Sequence, residues 1–210
     1  MKQLWIVGAG GFGREVYSWA SAHPDCGVDW EIAGLLDDNP AALDGFDYPV
    51  GISGTVKDHL PGESDCYVCG LGIPEVKQRV CRALLARSAC FITLVHPSVI
   101  LGKHVRLGTG VVLCPRVTLT CDAEVGDFVS VNCHSSAGHD VKIGAWSTVS
   151  GHCDITGGCE LGEMAFLGSG VRILPKRRVG VGAYVGAGSV VLQSVADAQR
   201  VFGVPARRID

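Results

Sequence analysis

Residues 101–119 read LGKHVRLGTGVVLCPRVTL and place a leucine at every sixth position. The same period continues to residue 191, and fifteen of its sixteen positions hold Leu, Ile or Val, the exception being Ala137. A strict six-residue repeat is typical of a parallel β-helix, in which each hexad supplies one short strand and one turn. We therefore expect three hexads to close one triangular coil, and about five such coils to stack at the spacing of paired strands.

Glycine follows the aliphatic residue in nine of these hexads, as at Gly102, Gly126 and Gly144. Since glycine adopts positive φ without a steric penalty, we expect these glycines to let the backbone turn each corner. The segment 174–178, LPKRR, lacks this glycine. It is expected to bulge outward from the helix.

The first 95 residues follow a different pattern, in which strand-like and helix-like segments alternate. Such alternation predicts a small parallel α/β sheet, whereas the Gly- and Pro-rich segment 39–63 is expected to form loops. We therefore predict two domains, 1–95 and 96–210. The expected strands include Leu4–Val7, Glu31–Leu36, Cys66–Val68 and Phe91–Val95, and the expected helices cover 14–20 and 74–86.

Composition excludes several classes of protein. A net charge of −3 argues against a protein that binds nucleic acid or a membrane surface, since both need a basic face. No run of 18 apolar residues exists to span a bilayer. Ten cysteines without an export signal indicate reduced thiols in the cytosol. The pair Cys66 and Cys69 has C-x-x-C spacing, but we expect it to be buried in a strand rather than to hold a metal.

A glycine-rich turn, Gly8-x-Gly10-x-x-Gly13, follows the first strand and opens the first helix. This context is typical of a phosphate-binding turn. Asp37 ends the second expected strand, near where a Rossmann fold has its ribose-binding acid. Alone these features would suggest NAD, yet the domain has room for only about four strands, half of a dinucleotide fold. Asp37 and Asp38 could also form a simple turn before Asn39.

Polar side chains cluster around Ala137, where the aliphatic repeat is interrupted. Asn132, His134, His139 and Asp140 all lie within nine residues. Polar residues on an otherwise regular scaffold indicate a functional site. Acyl transfer needs a base, for which histidine is suited at neutral pH, and a neighbouring carboxylate would orient the ring. The alternative is that both histidines are exposed corner residues without a catalytic role.

The repeat [LIV]-G-x-x-[small]-x resembles that of the hexapeptide-repeat acyltransferases, whose β-helices are left-handed. With the glycine turn, Leu35–Asp38, Leu94–Pro97 and the ending Val201–Arg207, the chain is similar to the sugar O- and N-acyltransferases of the sialic acid and bacillosamine types. The resemblance implies a half-Rossmann domain followed by a left-handed β-helix. It also implies acetyl-CoA as co-substrate, no metal, and a cytoplasmic homotrimer with active sites between subunits.

The resemblance assigns roles to residues near the interrupted hexad. His139 aligns with the family's catalytic histidine, Asp140 with its carboxylate partner, and Asn132 with a polar active-site position. Thr148 lies where the family often has a second histidine, so the resemblance implies no histidine contact from that position. Gly157 lies one coil after His139 and leaves room for a thioester carbonyl, whose oxyanion its N–H could stabilise. A corner glycine without such a role is the alternative.

The family's substrates suggest further contacts. The half-Rossmann domain is expected to hold a nucleotide-linked sugar through Gly10, Gly11, Phe12, Gly13, Asp37 and Asp38. CoA is expected along the β-helix between subunits. Its phosphates would pair with Lys176, Arg177, Arg178 and Arg207, and its pantetheine arm would lie against Ala183, Ala187 and Ala206.

Together these features predict an acetyl-CoA-dependent enzyme that acetylates the amino group of a nucleotide-linked, dideoxy amino sugar for bacterial surface glycans. Acetylation of a sugar hydroxyl, as in the sialic acid type, is the first alternative. A zinc hydratase resembling γ-type carbonic anhydrases is a second, since His134 and His139 have a suitable spacing. Its third histidine would fall at Ser98. A non-catalytic nucleotide-sugar sensor is a third.

Overall fold

The computed structural model describes residues 1–209, and the chain divides into two compact units, Met1–Leu94 and one that begins at Val95. The first unit contains a four-stranded parallel sheet with strand order β3-β2-β1-β4. Its elements are β1 (Lys2–Val7), α1 (Gly11–Ser21), β2 (Trp30–Leu36), β3 (Ile52–Gly54), β4 (Asp65–Cys69) and α2 (Pro74–Leu85). No helix among the described residues is both long and apolar enough to cross a bilayer.

One strand of the first unit lies where the sequence indicated loops. Strand β3 forms within the segment 39–63 and pairs with β2. The strand expected at 91–95 is shorter in the structure: Phe91 forms a single bridge with Tyr67, and only Leu94–Val95 form a strand. The expectation of loops throughout 39–63 was wrong, because a short edge strand depends on hydrogen bonds to its neighbour rather than on its own apolar residues.

The second unit is a parallel β-helix with three sheets. The eight-stranded sheet contains β5 (Leu94–Val95), β8 (Val112–Leu113), β11 (Ser130–Val131), β14 (Thr148–Val149), β17 (Phe166–Leu167), β20 (Tyr184–Val185), β22 (Arg200–Phe202) and β23 (Arg207–Arg208). The six-stranded sheet contains β6 (Ile100–Leu101), β9 (Thr118–Leu119), β12 (Ser136–Ala137), β15 (Asp154–Ile155), β18 (Arg172–Ile173) and β21 (Val190–Val191). The five-stranded sheet contains β7 (Arg106–Leu107), β10 (Glu124–Val125), β13 (Lys142–Ile143), β16 (Glu160–Leu161) and β19 (Arg178–Val179).

Residues 18 apart pair across successive coils, as Ala137 does with Ile155 and Leu119. The aliphatic residues of the repeat form the buried core from Leu113 onward. The six strands of the six-stranded sheet correspond to six coils, one more than expected, because pairing continues into β21 and the bridge at Val195.

The glycines of the repeat do not turn the corners by positive φ, so that expectation was wrong. Positive φ falls two residues later in the hexad, either on a residue with a side chain such as Asp140, whose φ is 59°, or on a different glycine such as Gly158, whose φ is 68°. The glycines are required because the coils approach closely. A Cβ at Gly144 would lie 2.6 Å from the carbonyl carbon of Gly162 in the next coil. Only glycine allows that contact between backbones.

The expected bulge at 174–178 is also absent. Strands β18 and β19 keep the six-residue spacing and pair in register with the preceding coil. Lys176 adopts φ of 58°, the same conformation as the other corners. Leu174 occupies the glycine position and remains exposed. The segment therefore adds no residue to the coil.

Because the aliphatic column fills the prism, we predict that Ile155→Val will destabilise the β-helix by about 0.5–1.5 kcal/mol. Ile155 is buried in the six-stranded sheet, whereas Ile100 in the same sheet is 64% exposed. Ile100→Val is therefore a matched control and should have little effect. Denaturant unfolding followed by circular dichroism measures both. Equal losses for the two variants would contradict the packing described here.

Candidate active site

His139 lies in a corner between the six-stranded and five-stranded sheets. We define the His139 corner as the stacked turns 120–123, 138–141, 156–159 and 174–177. The turns stack because the flanking strands pair 18 residues apart, and the backbone of Asp140 donates to the Cys121 carbonyl of the preceding coil at 3.2 Å. Residues far apart in sequence therefore line one edge of the prism.

The His139 imidazole is held by its sequence neighbour. Nδ1 of His139 lies 2.7 Å from Oδ2 of Asp140. Since a carboxylate only accepts, Nδ1 carries the proton and Nε2 is left as the basic nitrogen. Both side chains are about two-thirds exposed, at 67% and 66%. A ligand can therefore reach the imidazole directly.

Gly157 lies directly against this imidazole, one coil further on. A Cβ at Gly157 would come within 2.7 Å of the ring carbon Cε1, so only glycine fits beside the ring as it stands. Gly158 donates its N–H to the His139 carbonyl at 2.8 Å, which fixes the two turns together. Within residues 1–209 the N–H of Gly157 has no acceptor. The corner thus combines a basic nitrogen with an unused backbone donor.

Asn132 and His134 lie on a different edge, between the eight-stranded and six-stranded sheets. We define this His134 corner as the stacked turns 114–117, 132–135, 150–153, 168–171 and 186–189. Oδ1 of Asn132 accepts from the Cys114 thiol at 3.6 Å. Within one chain, a strand of the six-stranded sheet separates Asn132 from His139. The sequence cluster around Ala137 is therefore divided between two corners.

The residues expected to hold CoA are dispersed. Lys176 and Arg177 lie on the His139 corner, one coil beyond Gly157, whereas Ala187 is exposed on the His134 corner. Arg178 points outward from β19 and donates to Asp197 at 2.7 Å. Arg207 is exposed in β23.

Two of the alanines expected along the pantetheine arm face inward instead. Ala183 is fully buried in the β-helix core, so the expectation that it lines a surface groove was wrong. Ala206 packs against the same core and is partly buried. Ala183 lies four residues after the repeat residue Val179, and side chains at that position of the hexad point into the core.

The glycine turn of the first unit borders a cavity of about 240 Å³. Gly10, Gly11, Phe12 and Asp37 line it together with residues 70–73. Nothing lies within 4 Å of a Cβ built at Gly10 or Gly11, so this side of the turn is open. A Cβ at Gly13 would overlap the Gly8 carbonyl. Gly13 therefore lets α1 pack closely on β1, as a phosphate-binding turn requires.

Asp37 and Asp38 both hold backbone in place. Oδ2 of Asp37 accepts from the Ala9 N–H at 2.8 Å and Oδ1 from the Asn39 N–H at 2.9 Å. Oδ1 of Asp38 accepts from the Val56 N–H at 3.0 Å. Asp37 thus fixes the glycine turn, and the second oxygen of Asp38 remains for a ligand at a neighbouring cavity of about 130 Å³.

A buried polar group near this cavity was missed by sequence reasoning. Lys77 of α2 is fully buried, and its burial lowers the pKa of its amine to about 8. The thiols of Cys69 and Cys81 lie beside it and hydrogen-bond to each other. Cys66 is also buried in β4, and burial raises its pKa to about 11. The two cysteines of the C-x-x-C motif therefore do not pair with each other, since Cys69 hydrogen-bonds to Cys81 of α2.

Both units of the chain are similar to those of known proteins. The PglD N-terminal domain family matches residues 3–84. The GDP-perosamine N-acetyltransferase of Escherichia coli O157:H7 is 29% identical over 190 residues, which cover 87% of this chain and 84% of that protein. PerB from Caulobacter crescentus, solved with CoA and GDP-perosamine, is 28% identical with a TM-score of 0.89 over 100% of this chain and 98% of that one. The chain is similar over nearly its whole length to hexapeptide-repeat sugar acetyltransferases.

A second solved acetyltransferase structure shows the same similarity. The acetyltransferase domain of PglB from Neisseria gonorrhoeae FA1090, in complex with acetyl-CoA, is 26% identical, with a TM-score of 0.89 over 99% of both chains. The expected fold, a half-Rossmann unit followed by a left-handed parallel β-helix, is confirmed, and so is the expected enzyme class, an acetyltransferase. The zinc hydratase alternative is not favoured, because the relatives are acetyltransferases.

Proposed function

We propose that this acetyltransferase moves the acetyl group of acetyl-CoA onto the amino group of a nucleotide-linked amino sugar, in the biosynthesis of bacterial surface glycans. The observation that carries the proposal is the His139–Asp140 pair beside Gly157, since it supplies a base and an oxyanion donor at one exposed edge. The relatives that act on or bind GDP-perosamine support an amino sugar as acceptor and acetyl-CoA as donor.

The chemistry uses His139 first as a base and then as an acid. Nε2 accepts a proton from the acceptor amine as its nitrogen forms a bond to the thioester carbonyl carbon. The carbonyl oxygen becomes an oxyanion, which the Gly157 N–H stabilises. When the carbon–sulfur bond breaks, the imidazolium returns its proton to the departing sulfur of CoA. The products are the N-acetylated sugar and free CoA thiol.

Asp140 is a positioning residue, because it holds Nδ1 rather than the substrate. We expect Asp140→Asn to lower kcat by roughly ten- to a hundredfold with little change in KM, since a misaligned base loses rate rather than binding. Asp122→Asn is a matched control, as Asp122 is exposed on the same corner one coil earlier with the same backbone conformation. Steady-state kinetics of both variants tests the role. An unchanged kcat in Asp140→Asn would contradict it.

The first unit supplies the nucleotide site in this proposal. Gly10 and Gly11 leave open the N-terminal end of α1, so a nucleotide can approach the backbone closely there. Phe12 lines the cavity beside the glycine turn. Asp38, with its free oxygen, lines the second cavity of this unit. Asp37 acts indirectly, by holding the turn through the Ala9 N–H.

We further propose a homotrimer with its active sites between subunits. Asn132 and Ala187 lie on the His134 corner, so they approach His139 only if a second copy of the chain presents that corner. Lys176, Arg177 and Arg207 are then free to meet CoA phosphates, whereas Arg178 is engaged by Asp197. A cytoplasmic location agrees with the ten cysteines, all of which are free thiols.

A direct assay separates amine from hydroxyl acceptors. Purified protein with acetyl-CoA is offered a nucleotide-linked 4-amino sugar or the same nucleotide sugar with a hydroxyl at that carbon, and release of CoA thiol is followed. We expect turnover with the amine and not with the hydroxyl. Turnover with the hydroxyl compound alone would replace the proposal by O-acetylation. Binding of nucleotide sugars without any CoA release would favour a sensor.

A further inference from the structure

Three basic side chains stand in one column on the His134 corner. Arg116, His134 and His152 occupy the same position in successive coils, each with φ of 60°, and all three are exposed. The backbone keeps them in register, since His134 donates to Pro115 at 3.1 Å and His152 to Cys133 at 3.0 Å. The two imidazole rings are stacked, with centroids 4.9 Å apart and planes 2° from parallel.

This column differs in charge from another exposed column of the β-helix. On the five-stranded sheet the outward charges alternate in sign along Arg106, Glu124, Lys142, Glu160 and Arg178. There each cation meets a carboxylate, as Arg106 meets Glu124 at 2.6 Å. In the Arg116 column the signs do not alternate. Within residues 1–209 no carboxylate forms an ion pair with any of its three side chains.

The Arg116 guanidinium and the two stacked imidazoles supply N–H donors at regular steps along the edge, as two linked phosphates would require. Asn132 and Ala187 lie on the same corner, so the column neighbours residues already expected at the substrates. We propose that Arg116, His134 and His152 bind the diphosphate group of a co-substrate. The choice of diphosphate rests on the proposed function, since both co-substrates carry one.

Inorganic pyrophosphate is the probe for this site in the full-length protein. Imidazole proton resonances of His134 and His152 are followed by NMR during a pyrophosphate titration. We expect both resonances to shift with a common Kd. The resonance of the exposed His104, which lies between β6 and β7 and away from the His134 corner, should not shift. In His152→Asn the Kd read at His134 should rise about tenfold, the effect of losing one charge-assisted hydrogen bond. Asparagine suits the test because it tolerates positive φ. If neither resonance shifts, or if the two titrations give different Kd values, the proposal is overturned.

Kinetics then identifies which co-substrate carries the diphosphate. The double variant His134→Asn/His152→Asn should raise the KM of either acetyl-CoA or the nucleotide sugar about tenfold or more, with the other KM unchanged. The matched control His104→Asn has the same backbone conformation and should change neither value. Two unchanged KM values in the double variant would overturn the assignment. The pyrophosphate titration measures binding and requires no turnover. It can therefore support or overturn this site even if acetyl transfer is not observed.

Discussion

Replacing His139 by asparagine should lower kcat for acetyl transfer by at least about a hundredfold, the contribution of one general base. Asp140 holds Nδ1 of His139 at 2.7 Å, which leaves Nε2 as the basic nitrogen, and the side chain is exposed. Asparagine cannot accept the proton at that position, so the amine must lose it to water. CoA thiol release under saturating substrates measures the effect.

Binding and folding should survive this substitution, because the side chain is exposed and fills no core space. KM values close to those of the wild type are therefore expected. His104→Asn replaces another exposed histidine and should retain full activity. A His139→Asn enzyme with a kcat within a few fold of the wild type would show that another group removes the proton.

Adding one methyl group at Gly157 should have an effect of similar size. In Gly157→Ala the new Cβ would meet the His139 ring, with Cε1 at 2.7 Å, so the imidazole must leave its position against Asp140. Displacing a catalytic group by about 1 Å costs on the order of a hundredfold in rate. Gly157 does not have positive φ, so the backbone accepts alanine and the fold should be retained. Kinetics together with thermal unfolding separates the two effects.

The double variant gives the sharper test of that explanation. If Gly157→Ala acts by displacing His139, then His139→Asn/Gly157→Ala should be no slower than His139→Asn alone, since residues that act as a unit are not additive. Gly51→Ala, where a Cβ meets nothing within 4 Å, controls for the substitution itself. A stable Gly157→Ala enzyme with unchanged kcat would mean that the ring and Gly157 are not coupled.

The six-residue period predicts a large part of this architecture because a repeat fixes register. Once three hexads close a coil, residues 18 apart must be neighbours, which correctly brings Gly157 beside His139. The number of coils is underestimated by one, since pairing 18 residues apart continues as far as β21. The pairing of Tyr184 with Arg200 then uses a spacing of 16 rather than 18. Handedness is predicted only by family resemblance, because the period is the same for either hand.

Other features depend on contacts that the pattern does not encode. Asn132 is seven residues from His139, but one intervening strand moves it to another corner. Both oxygens of Asp37 accept from backbone N–H groups, one of Ala9 in the glycine turn and one of Asn39, and the sequence pattern does not encode these contacts. The repeat glycines follow from coil-to-coil approach, a distance visible only once the coils are stacked.

A crystal structure with CoA and a nucleotide-linked amino sugar tests the central claim most directly. The account predicts the sugar nitrogen within hydrogen-bond distance, about 3 Å, of His139 Nε2. It also predicts the CoA sulfur close enough to that corner for a thioester carbonyl to reach the Gly157 N–H. A sugar amine bound away from His139, with the CoA sulfur at a different corner of the β-helix, would contradict it.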